Sequence, residues 1–553
     1  MKPYRKISPS FSFLFYTLLY IMGCVISPCH AQNAQYRVVP LPQSIEETNA
    51  EPFRLSATTS ILCDINDVMM RRNAVFLSEY VEKATGWKLS LNEAKKRFKQ
   101  DVITLRLNPS IKEAEGYRIS VNKKSIVIEG QTPNGIFYGI QTLRKSLPII
   151  SKSESVLFPA VVINDAPRFP YRGMHLDTSR HFFPVDFVKE YIDMLALHNM
   201  NKFHWHLTDD QGWRIEIKKY PLLTSVGSIR KTTVVGHNLG FYDGVPHTGF
   251  YTQEQARDIV EYARHRYITV IPEIDMPGHM LGALAAYPEF GCTGGPYEVC
   301  GVWGVLDDIL CAGNPKTLQF CKDVLDEIMQ IFPSELIHIG GDEAPRVRWK
   351  NCSKCQQLIQ SRGLKGDGKY SAEAKLQGYF TEEIEKFVNS KGRRIIGWDE
   401  VLEGDVTAST TIMSWRGMEG GIYASERGHD VIMAPTSHCY FDYYQADFKT
   451  GGEPFLIGGF LPIEKTYSLE PLPANLSKEA QKHILGVQAN LWTEYIAFPS
   501  LVEYQVLPRM GALSECQWMQ PEQKNFEDFK QRASHLTQIY RLYGWTYAKH
   551  LFK

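Results

Sequence analysis

The sequence has no excess of either charge: 61 lysines and arginines balance 61 aspartates and glutamates, and the pI is near 7.2. A protein that binds nucleic acid or an anionic membrane through general electrostatic attraction carries a surplus of basic residues. The chain also lacks the nucleophile motif G-x-S-x-G, the phosphate loop G-x-x-x-x-G-K-S/T and the zinc-protease motif H-E-x-x-H. These absences exclude nucleic acid as an expected partner and argue against serine hydrolases, P-loop enzymes and zinc proteases.

Long apolar runs are absent too, except at the start of the chain. Residues 11–26, FSFLFYTLLYIMGCVI, follow a basic start, and Ala31 offers a small residue before a cut. This run is short for a membrane span and has the flanks of a signal peptide, so we predict a signal peptide at residues 1–31 and an exported, periplasmic protein. The alternative is a lipid anchor at Cys24, since IMGC resembles a bacterial lipobox; the protein would then be a membrane lipoprotein facing the periplasm or the cell surface.

Cysteines are few, 11 in 553 residues, and two of them belong to the predicted signal peptide. Export permits disulfides, and four cysteines crowd residues 292–321, where we expect a bond between Cys292 and Cys311. The pair Cys352 and Cys355, in CSKC, has the spacing of half a zinc site. No second pair lies at a zinc-ribbon distance, so we interpret CSKC as a local disulfide or as two free thiols.

The remaining chain is too long for one compact core, and its patterns divide it in two. Residues 32–166 mix alternating, strand-like runs with two helix-like stretches, which predicts a smaller α+β domain without concentrated chemistry. Over residues 167–553, eight apolar runs alternate with helical patterns, which is typical of a (β/α)8 TIM barrel in the α/β class. A doubly wound sheet is the alternative, but no glycine-rich phosphate turn follows the first strand.

Polar and indole side chains follow the predicted barrel strands at the point where each ends. They are Asp177 and Arg180, Asp209 and Asp210, Asp275 and His279, Asp342 and Glu343, Trp398 and Asp399, Trp415 and Arg416, and Trp492 and Glu494. Any one of these pairs is compatible with a helix cap or a rim ion pair. Their shared position favours one active site at the C-terminal mouth, where barrel enzymes place their catalytic residues.

The adjacent acids Asp342 and Glu343, in HIGGDEAP, are unusual because two buried carboxylates repel each other. Taken alone, they are equally typical of a helix N-terminus capped by Asp342. Carboxylates with aromatic residues at a barrel mouth favour glycoside hydrolysis. An ordinary acid and nucleophile stand about 5 Å apart across the bond, and strand neighbours point to opposite faces. The pair fits better if one acid protonates the leaving oxygen while the other holds a sugar substituent that attacks.

The pattern HWH at residues 204–206 places two histidines on one face of a strand. We interpret them as a packed, hydrogen-bonded core pair, because no third ligand stands at a recognisable spacing. The sequence therefore predicts neither a metal nor a cofactor.

Eight segments resemble glycoside hydrolase family 20, the β-N-acetylhexosaminidases. They are YRGMHLDTSRHFFP, NKFHWHLTDDQGWR, PEIDMPGH, HIGGDEAP, IGWDE, MSWRG, CYFDYY and ANLWTE, in the family's order. The resemblance implies an exo-acting enzyme that removes terminal non-reducing N-acetylglucosamine or N-acetylgalactosamine from glycans by substrate-assisted retaining hydrolysis. The alternative, a non-catalytic N-acetylhexosamine-binding protein, would not need Asp342 and Glu343 together.

The resemblance also implies residue roles, by position in these motifs. Glu343 would be the general acid and then the base, with a raised pKa, and Asp342 would orient the acetamido group, whose oxygen is the nucleophile. Tyr440 would donate a hydrogen bond to the acetamido carbonyl, and Trp398, Trp415 and Trp492 would surround the methyl group and the sugar ring. Arg180, Asp442 and Glu494 would bind the hydroxyl groups of a terminal sugar. Asp209 and His279 would support the catalytic acid from behind.

Overall fold

The computed structural model describes residues 32–94, 100–150, 155–447 and 452–552. Two units follow each other along the chain: a domain of two sheets and two helices, then a closed eight-stranded barrel. The predicted signal peptide at residues 1–31, with Cys24, lies outside the described residues. Within the described ranges, no helix has the length and apolar character needed to cross a membrane.

The first unit is an α+β domain, as the sequence predicted. Its elements are β1 (Gln32–Asn33), β2 (Ser44–Glu47), β3 (Phe53–Leu55), β4 (Ser60–Cys63), α1 (Val68–Thr85), β5 (Ser90–Glu93), β6 (Val102–Leu107), β7 (Tyr117–Asn122), β8 (Ser125–Gly130), α2 (Pro133–Ser146), β9 (Val156–Phe158) and β10 (Val161–Asp165). One sheet runs β2-β10-β7-β8-β6-β4-β5 and the other β1-β9-β3. Strands β7 and β8 pair antiparallel and form a hairpin.

Helix α2 joins the two units. Thr132 caps its N-terminus, and almost every residue of the helix is buried because it lies between the sheet and the barrel. Tyr138 packs edge-on against Trp518, with ring centroids 5.2 Å apart. Arg172, on the first barrel strand, donates to Glu115 (Nη1 to Oε2, 2.8 Å) and to the Tyr138 hydroxyl (2.8 Å). The first domain and the barrel therefore share a buried, hydrogen-bonded interface.

The barrel consists of eight parallel strands that pair in chain order and close on themselves. The barrel strands are β11 (Tyr171–Asp177), β12 (Lys202–His206), β15 (Thr269–Glu273), β16 (Leu336–His338), β17 (Arg394–Trp398), β18 (Thr411–Ser414), β19 (Val431–Met433) and β20 (Ile484–Ala489). The loop after β12 forms a separate two-stranded ribbon of β13 (Thr208–Asp209) and β14 (Gly212–Trp213). Each apolar run predicted to be a barrel strand forms one, and the TIM-barrel prediction is confirmed.

Helices surround the barrel and fill its loops. They are α3 (Val185–Leu197), α4 (Leu222–Ser225), α5 (Gln253–Arg264), α6 (Leu281–Ala286), α7 (Pro315–Ile331), α8 (Val347–Asn351), α9 (Ser353–Arg362), α10 (Ala372–Ser390), α11 (Glu419–Ser425), α12 (Thr436–Cys439), α13 (Ile463–Tyr467), α14 (Lys478–Gln481), α15 (Pro499–Val506), α16 (Arg509–Trp518) and α17 (Phe526–Tyr543). The alternation is broken once, between β17 and β18, where the 3₁₀ turn Asp399–Glu403 takes the place of a helix.

The barrel interior is polar below the mouth. Glu273 is fully buried and lies 3.0 Å from His204 Nε2, 2.5 Å from His206 Nδ1 and 3.0 Å from His338 Nδ1. The indole N–H of Trp398 donates to the same carboxylate at 3.0 Å. Burial would raise the pKa of Glu273, but the histidines hold it well below its usual range. The HWH histidines are thus hydrogen-bonded core residues, and their network fixes the Trp398 indole.

Candidate active site

The loops after the barrel strands enclose a pocket of about 410 Å³. All eleven residues predicted from the sequence line it: Arg180, Asp209, His279, Asp342, Glu343, Trp398, Trp415, Tyr440, Asp442, Trp492 and Glu494. Every barrel strand contributes at least one of them, at or after its C-terminal end. The closed barrel thus brings together side chains that are hundreds of residues apart in the sequence.

The turn after β16 explains how two adjacent acids reach one pocket. Gly340 and Gly341 have φ angles of 65° and 99°, and Glu343 has 44°. A Cβ at Gly340 would lie 1.7 Å from the carboxylate of Asp275, so only glycine fits there. A left-handed backbone at Glu343 is strained for a residue with a side chain, and such strain is concentrated at functional sites. The strand ends at His338, so its alternation stops before the two acids, and Asp342 and Glu343 both line the pocket.

Asp342 does not cap a helix. The next helix, α8, begins at Val347 with Arg346 as its N-cap, so the helix-cap interpretation is wrong. Asp342 is instead buried, and its Oδ1 accepts no hydrogen bond from the described residues. Burial raises the pKa of Asp342 to about 6, and the nearby charges of Glu273 and Glu343 act in the same direction. This carboxylate oxygen is free to accept a hydrogen bond from a bound ligand.

Glu343 has different surroundings. Its side chain is 40% exposed, and the Nε2 atom of His279 lies 3.6 Å from its Oε2 and 3.8 Å from Asp342 Oδ2. The interaction with His279 lowers the pKa of Glu343. The expectation of a raised pKa for Glu343 is therefore wrong. Asp342 is the more deeply buried of the two acids, and burial raises the pKa of Asp342 instead.

His279 links the acids to a second carboxylate pair. Its Nδ1 lies 3.3 Å from Asp209 Oδ1 and 3.2 Å from Asp210 Oδ2. Burial alone would lower the pKa of His279, but these acids and Glu343 raise it well above its usual range. Asp209 keeps a lowered pKa despite burial, because Arg180 (2.9 Å) and His279 favour its ionised form. His279 is thus a buried cation held behind Glu343.

Aromatic side chains form one part of the pocket wall. Trp415 and Tyr440 stack with their centroids 6.2 Å apart, and Trp398 and Trp492 meet at 46° with centroids 6.0 Å apart. The Trp415 indole donates to Glu400 at 2.9 Å, which fixes the ring. Flat apolar faces of this kind suit the C–H faces of a sugar ring and a methyl group.

Charged groups form another part of the wall. Arg180 donates to Asp177 Oδ2 at 3.2 Å, lies 3.9 Å from Glu494 Oε1 and sits over the Trp492 ring at 5.1 Å. Asp442 is buried, its Oδ1 accepts no hydrogen bond from the described residues, and burial followed by the charge of Glu494 raises its pKa well above the usual range. A fixed guanidinium beside carboxylates is suited to binding several hydroxyl groups.

The pocket also contains residues that the sequence did not predict. They are Asn238, Trp303, Gly304, Val305, Tyr443, Ile457 and Tyr495. Tyr443 lies inside CYFDYY and Tyr495 directly follows ANLWTE, so these two motifs were the sequence signal that could have identified both tyrosines. The other five come from long loops without a recognisable pattern.

Comparison with known proteins decides the family. The protein-family model "Glycosyl hydrolase family 20, catalytic domain" matches residues 169–521, and the family model "Glycosyl hydrolase family 20, domain 2" matches residues 35–166. The chain belongs to glycosyl hydrolase family 20. The resemblance stated from the sequence motifs is thereby confirmed.

Similar family 20 proteins cover most of the chain. A beta-hexosaminidase of Porphyromonas gingivalis is 40% identical over 541 residues, which are 96% of this chain and 67% of that one. The structure of an exo beta-N-acetylglucosaminidase from Vibrio harveyi in complex with N-acetylglucosamine has a TM-score of 0.80 at 31% identity, covering 95% of this chain and 80% of that one. The beta-N-acetylhexosaminidase of Streptomyces coelicolor has a TM-score of 0.79 at 29% identity, with coverages of 92% and 97%.

Proposed function

We propose that the protein is an exo-acting β-N-acetylhexosaminidase, which removes terminal non-reducing N-acetylglucosamine or N-acetylgalactosamine from glycans by substrate-assisted retaining hydrolysis. The observation that carries the mechanism is a buried carboxylate oxygen of Asp342 that has no hydrogen-bond donor among the described residues. It lies beside Glu343 in an indole-lined pocket. Family 20 membership supports the activity, since the similar proteins are named as hexosaminidases or as an exo-acting enzyme. No comparison favours a binding protein without catalysis.

The substrate's acetamido group is the nucleophile in this proposal. Its carbonyl oxygen attacks the anomeric carbon while the bond to the leaving oxygen breaks, and a cyclic oxazolinium ion forms. Positive charge grows on the amide nitrogen, where the ionised Asp342 accepts the N–H and stabilises the charge. Burial raises the pKa of the Tyr440 phenol well above its usual range, so Tyr440 keeps its proton and donates it in a hydrogen bond to the carbonyl oxygen.

Glu343 handles the protons. It donates one to the leaving oxygen and then takes one from the water that opens the ring, so the anomeric configuration is retained. Its lowered pKa favours the ionised form while the side chain is partly exposed. A bound sugar would bury this side chain, and desolvation raises the pKa of a carboxyl group. Substrate binding therefore prepares Glu343 as an acid.

The remaining walls recognise one terminal sugar. Trp398, Trp415 and Trp492 pack on the acetamido methyl group and the ring, while Arg180 binds hydroxyl groups. Asp442 and Glu494 add acceptors at the same place. A pocket bounded by these fixed charges accommodates a chain end, and this supports exo-action from the non-reducing end.

The test is a matched pair of chromogenic substrates. The protein should hydrolyse 4-nitrophenyl N-acetyl-β-D-glucosaminide and barely cleave 4-nitrophenyl β-D-glucoside, which has the same leaving group but no internal nucleophile. On a chitooligosaccharide, the first product should be the monosaccharide. Sugar binding without turnover would overturn the proposal in favour of the non-catalytic sugar-binding protein, and release of internal oligosaccharides alone would contradict exo-action.

We also propose that the protein is exported, on the strength of the signal-peptide pattern at residues 1–31. The mass of the mature N-terminus tests this. Unmodified Gln32 as the first residue fits a soluble periplasmic enzyme, whereas a diacylated Cys24 fits a lipoprotein on the membrane. An intact Met1 would contradict export.

A further inference from the structure

Four cysteines from three separate segments meet in one place. The sulfur atoms of Cys292, Cys311, Cys352 and Cys355 all lie within 4.8 Å of one another. Cys311 Sγ is 3.7 Å from both Cys352 Sγ and Cys355 Sγ, and Cys292 Sγ is 3.9 Å from Cys355 Sγ. All four are free, so the predicted disulfide between Cys292 and Cys311 is wrong.

These separations match a tetrahedral metal site. With zinc–sulfur bonds of about 2.3 Å, neighbouring sulfurs of a tetrahedron stand about 3.8 Å apart. A disulfide would draw two sulfurs to about 2.05 Å and leave the others apart, whereas Cys311 is equally distant from two partners. We propose that Cys292, Cys311, Cys352 and Cys355 bind one zinc ion as a closed, structural tetrahedral site.

Helix α9 favours negative charge at two of the four sulfurs, and the thiolate is the form that binds zinc. Cys352 is the N-cap of helix α9 and Cys355 lies in its first turn, where the positive end of the helix dipole stabilises negative charge. The backbone N–H of Gly313 donates to Cys355 Sγ at 3.3 Å. Four thiols that bind zinc release their protons to water, and the step needs no oxidant. Three of the four cysteines are buried, which fits a structural site without an open ligand position.

Cys292 and Cys311, which the sequence predicted as a bonded pair, form the second cysteine pair of the site. Gly291 and Leu310 form an antiparallel bridge that closes the long loop after β15. The next residue on each side of this bridge is Cys292 or Cys311, so these two cysteines lie together although 19 positions separate them. CSKC then approaches from the segment after β16. No linear zinc-ribbon spacing describes this arrangement.

The proposed zinc ion would join the two loops that flank the catalytic acid. The loop after β15 carries Cys311, and the segment after β16 carries Glu343 and then α8 and α9. The same two segments are also joined by a hydrogen bond, because the Trp349 indole of α8 donates to Leu310 O at 2.9 Å. We infer that zinc fixes this packing and thereby the start of the segment that carries Glu343. Zinc takes no part in the hydrolysis itself.

The direct test is the metal content of the full-length protein, prepared without added metal or chelator. Zinc, iron and copper should be measured together, and zinc should be present at one ion per chain. The X-ray absorption spectrum at the zinc edge should show four sulfur neighbours at about 2.3 Å. After unfolding with a chelator, all four thiols should react with an alkylating reagent. Two disulfides without zinc, four free thiols without a metal, or iron in place of zinc would each overturn the proposal.

Variants separate this site from the other cysteines. Cys352→Ser and Cys355→Ser should lose zinc and lower the unfolding temperature. Cys63→Ala, which removes a buried thiol of the first domain, should keep one zinc per chain. If a serine variant fails to fold, the stoichiometry and the absorption spectrum of the unchanged protein still decide the question. Zinc that remains at one ion per chain in folded Cys352→Ser and Cys355→Ser would contradict the four-cysteine site.

Discussion

Asp342 and Glu343 are neighbours in the chain, but their surroundings divide the chemistry between them. Asp342 is buried and has one oxygen that accepts no hydrogen bond from any described residue, while Glu343 is partly exposed and close to His279. A buried anion suits the stabilisation of positive charge, and an acid that becomes desolvated by substrate suits proton transfer. The two roles follow from position in the turn after β16, where the backbone of Glu343 is left-handed.

Glu343→Gln should remove proton donation to the leaving oxygen. The loss in kcat/KM should be greatest for substrates with poor leaving groups, because these depend most on protonation. A series of aryl N-acetyl-β-D-glucosaminides whose phenols differ in acidity measures this. Glu479→Gln, at an exposed surface pair with Lys482, is the matched control and should leave every rate unchanged. An equal loss across the series would assign the acid to another residue.

The dependence of kcat/KM on pH should show the ionisation of Asp342. Its pKa is raised to about 6, so kcat/KM should fall as the pH falls through about 6 and the catalytic anion is protonated. The residual activity of Asp342→Asn should lack this acid limb. The same limb in wild type and variant would show that a different group controls it.

The same raised pKa predicts a change in stability. Since the folded protein holds the Asp342 proton up to a higher pH than the unfolded chain, ionised Asp342 costs stability as the pH rises through the range between about 4 and 6. Asp342→Asn should therefore become more stable relative to wild type as the pH rises through that window. Thermal unfolding of both proteins, measured across the window, checks the sign; a constant difference would contradict the raised pKa.

Eleven of the pocket residues were predictable from the sequence, but their protonation was not. Motif position and the shared place at strand ends brought eleven side chains to one pocket. The pKa order of Asp342 and Glu343 depends on how deeply each carboxylate is buried, and adjacent letters in a sequence do not contain that information. The proximity of His279 to both acids is likewise a result of folding.

At the scale of elements, the strands were predictable and the loops were not. Apolar runs ending in polar residues marked all eight barrel strands, because parallel strands that are buried on both faces are rich in apolar residues. The histidines and Glu273 of the polar interior interrupt these runs without hiding the pattern. Trp303 and Ile457 enter the pocket from long loops, whose paths depend on packing rather than on a periodic pattern. The break in alternation at Asp399–Glu403 was missed for the same reason: this short connection has no helical period.

The turn after β16 should tolerate no side chain at Gly340. Gly340→Ala places a Cβ 1.7 Å from the Asp275 carboxylate and adds strain at a φ of 65°, so both stability and activity should fall. Gly392→Ala is the control, because its φ is 74° but no atom lies within 4 Å of the added Cβ. The control should lose only about 1 kcal/mol of unfolding free energy and keep its kcat. Equal effects of the two changes would show that backbone strain alone matters.

At the scale of the whole molecule, α2 and the Arg172–Glu115 ion pair connect the first domain to the barrel, so the first domain contributes to the stability of the barrel. Arg172 is almost fully buried, and it lies on β11, the first strand of the barrel. Two further buried contacts, to Tyr138 and to the carbonyl of Phe169, satisfy the same guanidinium. The two-domain order was predictable from the change of pattern near residue 166; the ion pair across the interface was not.

Removing Glu115 should destabilise the whole protein. Glu115→Ala leaves the Arg172 guanidinium buried without its carboxylate, which costs about 3 kcal/mol or more. Glu51→Ala removes a carboxylate from an exposed pair with Lys123 and should cost less than about 1 kcal/mol. Urea unfolding followed by circular dichroism measures both free energies. Similar values for the two variants would show that the interface does not depend on this ion pair.

The central claim is that Asp342 stabilises a cyclic intermediate formed by the substrate's own acetamido group. The most direct measurement compares kcat and the affinity for a stable thiazoline mimic of that intermediate in wild type and in Asp342→Asn. The variant keeps the shape of the side chain and loses its charge, so kcat should fall on the order of 10² or more while KM changes much less. Wild type should bind the thiazoline far more tightly than the product sugar, and the variant should lose most of that preference. A near-normal kcat in the variant, or a covalent sugar ester trapped on Asp342, would contradict the account.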